Sequence, residues 1–82
     1  MNETIRKAVE DHARLPVPVA SLADGDDLYQ AGMTSHASVN VMLALEDAFD
    51  TEFPDRMLKR SVFESIGSIQ AALSELQAET VS

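Results

Sequence analysis

No cysteine occurs anywhere in the chain, which excludes a disulfide scaffold, a zinc finger and a cysteine nucleophile together. Histidine is nearly as scarce. His12 and His36 are the two present, too few for a histidine-based metal site unless carboxylates complete it. No apolar run approaches the roughly 18–20 residues that span a bilayer, so no membrane is expected as a partner. The opening residues, Met1 to Lys7, lack the basic start and apolar stretch of a signal peptide, and the expected location is the cytoplasm. Bases are also few: six Lys and Arg stand against fourteen Asp and Glu, a net charge of −8. That balance argues against a nucleic-acid partner, whose phosphates attract bases.

What is present fits one small domain over residues 1–82, with a core from about 3 to 77, expected as a monomer. A chain of 82 residues buries only about 60–65% of its unfolded surface, so its core is small and its stability modest. The acids are unevenly placed. From Ser35 to Asp55 there are five (Glu46, Asp47, Asp50, Glu52, Asp55) and no Lys or Arg. Arg56, Lys59 and Arg60 then balance Glu64, Glu75 and Glu79. An acidic middle steers basic partners towards itself, although the same charge also serves plain solubility.

The pattern is helical throughout, and nothing alternates with period two long enough to demand a strand. Ile5, Val9 and Ala13 recur at four-residue spacing and Ala8 widens the stripe, which predicts a helix over 3–14 with Asn2 as N-cap. Pro16 and Pro18 end it, because each disfavours helical geometry in the residue before. The stretch from Pro16 to Thr34 is long and irregular, with a turn at Asp24-Gly25-Asp26. A loop of this length has to be functional or tied to the core, and Val19, Leu22, Leu28 and Met33 are available to tie it. Asp24-Gly25-Asp26-Asp27 resembles half a calcium loop, but Leu28 stands where the next ligand is needed. A short helix is expected from about Asp55 to Arg60, burial at Val62 and Phe63, and a last helix from near Ser65 with Ile66, Ile69, Leu73 and Leu76 on one stripe. The fold class is all-α: a small four-helix bundle of three long helices and one short third helix, joined by a long first loop.

The helix predicted over 35–49, opened by Thr34 or Ser35 as cap, is the informative one. With about 100° per residue counted from Val41, Ala37, Ala48, Leu45, Phe49 and Met42 form a core face. Ser38 is its one polar member, suited to burial if its hydroxyl donates to the carbonyl of Thr34, four residues earlier. Val39 and Leu43 point away from that face, among Glu46, Asp50, His36 and Asp47. Two readings fit them: a docking patch, in which apolar area supplies affinity and acids supply steering, or the flank of a wide buried stripe. Ser35 sits where a helix N-terminus favours a phosphate, and Gly32 gives the backbone room for a tight approach. On residues alone, an ordinary N-cap is clearly the stronger reading of Ser35. Ser35 and His36 are not a catalytic pair, since neighbouring helical side chains diverge and no third group orients the histidine.

At this point the residues resemble a family. The run Asp27-Leu28-Tyr29-Gln30-Ala31-Gly32-Met33-Thr34-Ser35 is similar to the approach to the modified serine of acyl carrier proteins. Val39 to Phe49, with its Leu45-Glu46-Asp47-Ala48-Phe49, resembles the helix after that serine. Phe53-Pro54-Asp55 resembles the acidic turn beyond it, and Phe63-Glu64-Ser65-Ile66 the motif before the last helix. The likeness covers about residues 26–76. It implies 4′-phosphopantetheine, taken from coenzyme A by a phosphopantetheinyl transferase and joined to Ser35, with the arm's thiol holding cargo as a thioester. It also implies a carrier that catalyses nothing itself, and a recognition helix whose partner-facing residues are Met33, Thr34, His36, Val39, Asn40, Leu43, Glu46 and Asp47.

The departures narrow the likeness. Thr34 stands where the family usually has aspartate, His36 where it has leucine, and Asn40 where glutamate is frequent. Arg56, Lys59 and Arg60 make the third helix basic where fatty-acid carriers tend to be acidic. The whole pattern is closer to the stand-alone aminoacyl carrier proteins, which are loaded by amino acid:carrier protein ligases related to seryl-tRNA synthetases. That resemblance implies such a ligase, or another acyl-loading enzyme, and a downstream acceptor enzyme as partners, with glycyl or alanyl cargo. Polyketide, nonribosomal-peptide or specialised lipid carriers are the alternative within the class, and an unmodified helical protein-binding adaptor is the alternative outside it. Small polar cargo gains little from burial, so the arm is expected to be mostly exposed.

Overall fold

A computed structural model gives the fold, and the structure describes residues 2–81, with side chains from 2 to 78. The ends of the expected 1–82 unit, Met1 and Ser82, lie outside the described residues. Among those described there are four α-helices and no strand: α1 (Asn2–Ala13), α2 (Ser35–Phe49), α3 (Arg60–Phe63) and α4 (Ile66–Val81), with single 3-10 turns at Val19–Ser21 and Asp55–Met57. The core is contributed by Ile5 and Val9 of α1, Val41 and Leu45 of α2, and Ile66, Ile69 and Leu73 of α4, all fully buried. Leu28 of the long loop is buried among them.

Two local solutions differ from the sequence expectations. Asn2 begins α1 as a helical residue, and its side chain ties elements together instead of capping. Its amide donates to Asp24 Oδ1 (3.1 Å) and Gln70 Oε1 (3.2 Å), and its oxygen accepts from Arg6 Nε (2.9 Å). Arg6 extends the tie by donating to the carbonyls of Val19 (3.0 Å) and Leu22 (2.9 Å) and to Asp24 Oδ1 (2.7 Å). One guanidinium thus satisfies carbonyls that an irregular loop would otherwise leave unpaired.

The helix expected over 55–60 is instead a 3-10 turn, an extended Lys59 (φ −142°, ψ 157°) and then α3. Met57 and Phe63 are both buried, yet on one continuous helix they would point about 120° apart. Breaking the helix between them lets both face the same core. Phe63 then meets Phe53 edge to face, with ring centroids 5.3 Å apart. Val62 is half-buried and packs against the same core.

At the start of α4 the amide of Ser68 donates to Ser65 Oγ (3.0 Å) and the amide of Ser65 donates to Ser68 Oγ (3.1 Å). This is a reciprocal capping box built from two serines. The stripe Ile66, Ile69, Leu73, Leu76 is buried as expected.

Candidate functional site

The approach to α2 is set by close packing. Gly32 has φ 121°, and a Cβ added there would lie 2.7 Å from Cδ of Pro16. Only glycine accommodates both the conformation and the contact. Asp27 organises the turn before it, accepting from the amides of Tyr29 (2.8 Å) and Gln30 (3.2 Å). Met33 is then driven into the core, 4% exposed. It anchors the helix start, which corrects its placement on the partner face.

Thr34 is the N-cap of α2, its Oγ1 accepting from the amide of Ala37 (3.0 Å). Ser35 is therefore the first helical residue and is released from capping. It is exposed, and among the described residues its hydroxyl has no hydrogen-bond partner. Ser38 donates to the carbonyl of Ser35 (2.7 Å), three residues back and not to that of Thr34. The carbonyl of Thr34 is already taken by the Ser38 amide (2.9 Å).

Along the outer side of α2, Val39 is 48% and Leu43 53% exposed. A buried flank is excluded by those values, which leaves an apolar ridge on the surface. His36, Asn40 and Asp47 are exposed around it. Glu46 has a different role from the one expected: half-buried, it accepts the amide of Phe53 through Oε2 (2.8 Å) and closes the turn after Asp50, whose φ is 50°. Ala48 also departs from expectation. It is exposed, because the gap between α1 and α2 stays open at that end, where Glu3, Thr4 and Asp47 share its groove.

The ridge divides two depressions. Towards α1, Asn40, Leu43 and Asp47 border a shallow groove of about 770 Å³ with Lys7 and Asp11, which pair at 3.4 Å. Towards α3, Ser35 and Val39 border a smaller cleft of about 350 Å³. Of the two, the smaller is the one that adjoins the free hydroxyl. Met42, Leu58 and Phe63 line its apolar walls, and Tyr29, Lys59 and Arg60 its rim. Arg60 lies over the Tyr29 ring, 4.3 Å from the centroid, a contact worth about 0.5–1 kcal/mol at an exposed site. Sequence reasoning missed this second wall. Lys59 and Arg60 registered as unusual charge, but nothing local links them to Tyr29 some thirty positions earlier. Electrostatically the site is polarised, with bases at the cleft and Asp47, Asp50 and Glu52 together at the far end of α2. No cluster of His, Cys, Asp and Glu among the described residues could hold a metal ion.

The head of α2 thus combines a capped helix start, an exposed serine hydroxyl and an apolar ridge behind it. The family profile described as phosphopantetheine attachment site matches residues 3–73. The chain belongs to this phosphopantetheine-binding carrier family, with 4′-phosphopantetheine as cofactor, and it is a carrier and not an enzyme.

Within the family it is a homologue of the Agrobacterium fabrum aminoacyl carrier protein, 51% identical over 70 residues that cover 85% of this chain and 84% of that one. It also matches the carrier protein from Agrobacterium tumefaciens in a crystal structure with an engineered Bradyrhizobium japonicum glycine:[carrier protein] ligase and AMP. There the TM-score is 0.88 at 49% identity, over 90% of this chain and 99% of that one. The holo acyl carrier protein of Nitrosomonas europaea matches with a TM-score of 0.82 at 26% identity, over 94% and 95% of the two chains.

The residues present suit the cofactor. An unpartnered hydroxyl is available for a phosphodiester, two cations stand on the rim of the same cleft, and its walls are apolar.

Proposed function

We propose that Ser35 bears the phosphopantetheine arm and that the chain, acting as one unit over 1–82, presents an aminoacyl group to partner enzymes. The observation that supports this reading is the division of labour at the head of α2: Thr34 caps the helix, and Ser35 is left exposed with a free hydroxyl. In the attachment step Ser35 Oγ attacks the phosphorus of coenzyme A that bears the pantetheine. The phosphoanhydride breaks, the hydroxyl proton is lost to base, and 3′-phosphoadenosine 5′-phosphate leaves. Backbone amides at the helix start favour the charge that then sits there.

When attached, the cofactor supplies a thiol that forms thioesters. The chain's own residues do the rest. Val39 and Leu43 offer apolar area for docking, His36, Asn40 and Asp47 surround it, and the acids of α2 steer basic partners. Thr34, Met33 and Glu46 act indirectly, by fixing where the helix starts, sits and stops. Tethering raises the local concentration of cargo at each docked active site.

Aminoacyl cargo, loaded by an amino acid:carrier protein ligase, is supported by the two Agrobacterium relatives at about half identity. A phosphopantetheinyl transferase and a downstream acceptor enzyme complete the partners, and the cytoplasm is where coenzyme A and those enzymes would meet the chain. Intact mass after incubation with coenzyme A and a broad-specificity transferase tests the attachment. Wild type gains one phosphopantetheine and Ser35→Ala gains none. A gain in both, or in neither, refutes the assignment of Ser35. Loading assays with amino acids and with acyl groups then separate aminoacyl from polyketide or lipid cargo.

A further inference from the structure

The groove between α1 and α2 stays open where the core stripe of α2 calls for contact. Ala48 lies on that stripe with Val41 and Leu45, yet those two are fully buried and Ala48 is exposed. Ala8 and Ala44 line the same groove. Methyl groups at these three positions leave room for another backbone to approach closely. Leu43, 53% exposed, borders them. The charge there is just as one-sided. Glu3, Asp11 and Asp47 line the groove with a single lysine, Lys7. Lys7 pairs with Asp11 at 3.4 Å, whereas Glu3 and Asp47 have no ion pair among the described residues. The groove runs from Glu3 to His12 along α1 and from Asn40 to Ala48 along α2. At 1.5 Å per residue that is about 12–14 Å, the length of a helix of two to three turns.

We propose that this groove receives a short amphipathic helix of a partner enzyme, its apolar side chains packed on the three alanines against Leu43 and its Lys or Arg residues set opposite Glu3 and Asp47. The proposal rests on the reading of α2 as the docking helix and adds α1 as the second wall of the docking surface. Continuity, shape and charge select the occupant. Leu43 and Asp47 belong to the ridge and to the groove alike, so a partner on the ridge reaches the groove without a break. A groove recognises a helix through apolar anchors at i, i+3, i+4 and i+7, and an alanine floor beside a leucine suits such a stripe over two turns. The unpaired carboxylates call for bases on its flanks. A second copy of this chain suits the groove badly, because each carries a net charge of −8 and like charges oppose the approach.

The test uses the ¹⁵N-labelled chain without its arm, so failure here leaves the assignment of Ser35 untouched. The reading of α2 as docking helix fails separately, if Leu43→Arg leaves loading unchanged. The probe is a helical peptide of about 14 residues, long enough to hold its fold, with Ala and Leu on one face and Lys along both flanks. A scrambled peptide of equal composition is the control. Saturable amide shifts are expected at Thr4, Ala44 and Ala48, with Leu58 and Lys59 unmoved and little response to the scrambled peptide. Ala48→Gln fills the floor without adding charge, and Glu3→Gln/Asp47→Asn removes the steering acids. Each raises Kd at least about threefold, as does 0.5 M salt with the wild type. All three replaced side chains are exposed, and a dispersed amide spectrum confirms that the variants are folded. Shifts centred outside the groove, an equal response to the scrambled peptide, or a Kd indifferent to both variants overturns the proposal. Shifts at the same amides that grow with the chain's own concentration, peptide absent, assign the groove to a second copy and overturn it as well.

Discussion

Replacing Gly32 by alanine sets a methyl group 2.7 Å from Pro16 Cδ in a backbone whose φ is 121°. Two costs combine. A side chain held in that sparsely populated region costs about 1–3 kcal/mol, and forcing apart a packed pair costs about 1–3 kcal/mol more. The sum, about 2–6 kcal/mol, is large against the roughly 4–12 kcal/mol that stabilise a domain of this size. At about 4–8 °C per kcal/mol, the midpoint of thermal unfolding falls by at least about 8 °C. Urea and thermal unfolding followed by circular dichroism measure it. Pro16→Ala in the same background separates the causes, because it removes the clash and leaves the φ penalty. The double variant therefore recovers about half of the loss, read as a coupling energy between the two positions. A Gly32→Ala protein within about 0.5 kcal/mol of wild type, the ordinary range for surface changes, would refute the reasoning.

Thr34→Ala removes the α2 cap and costs about 1 kcal/mol in urea unfolding, whereas Thr34→Asp restores a capping oxygen and recovers most of it; both still gain phosphopantetheine by mass. The hydrogen bond from Arg6, aided by one from Asn2, holds the Asp24 carboxyl below its ordinary value of 3.8. A carboxyl depressed in the fold adds stability above the unfolded pKa and loses it as pH falls through the folded one. Asp24→Asn is accordingly less stable than wild type at pH 7, and the gap narrows as pH drops below about 4; a gap that stays constant down to pH 2 excludes the coupling. Leu43→Arg, on the exposed ridge, lowers kcat/KM of the loading enzyme for the carrier by about tenfold, the value of roughly 1.4 kcal/mol of docking. Its unfolding midpoint stays at the wild-type value, and unchanged loading removes Leu43 from the docking surface.

Much of the architecture is legible because it depends on local periodicity. The bounds of α2 coincide with the expected 35–49, since its core stripe, its cap and its left-handed stop at Asp50 lie within one stretch. The α4 stripe is legible for the same reason. What escapes depends on contacts across the chain. Arg6 reads as a surface charge on α1, and its hold on Val19, Leu22 and Asp24 exists only once the loop has folded over it. Glu46 has the spacing of an outward acid, but a side-chain acceptor for the Phe53 amide was needed after the helix stop. The break between Met57 and Arg60 follows from two buried residues that no single helix can turn to one side. At the site, Ser35 is legible through motif likeness and Thr34 as one of two candidate caps, whereas Tyr29–Arg60 as the opposite rim is a tertiary fact.

The two sides of α2 explain how one short helix can serve both a tethered group and a succession of partners. The ridge of Val39 and Leu43 stands between the α1 groove and the α3 cleft. Under the proposed reading, a basic partner surface would be drawn to Asp47, Asp50 and Glu52 at the far end of the helix and repelled from Lys59 and Arg60 beyond Ser35, which orients it along the ridge. Val39 and Leu43, about half-exposed there, would then supply its apolar contact, so charge sets the direction of approach and the ridge supplies the affinity.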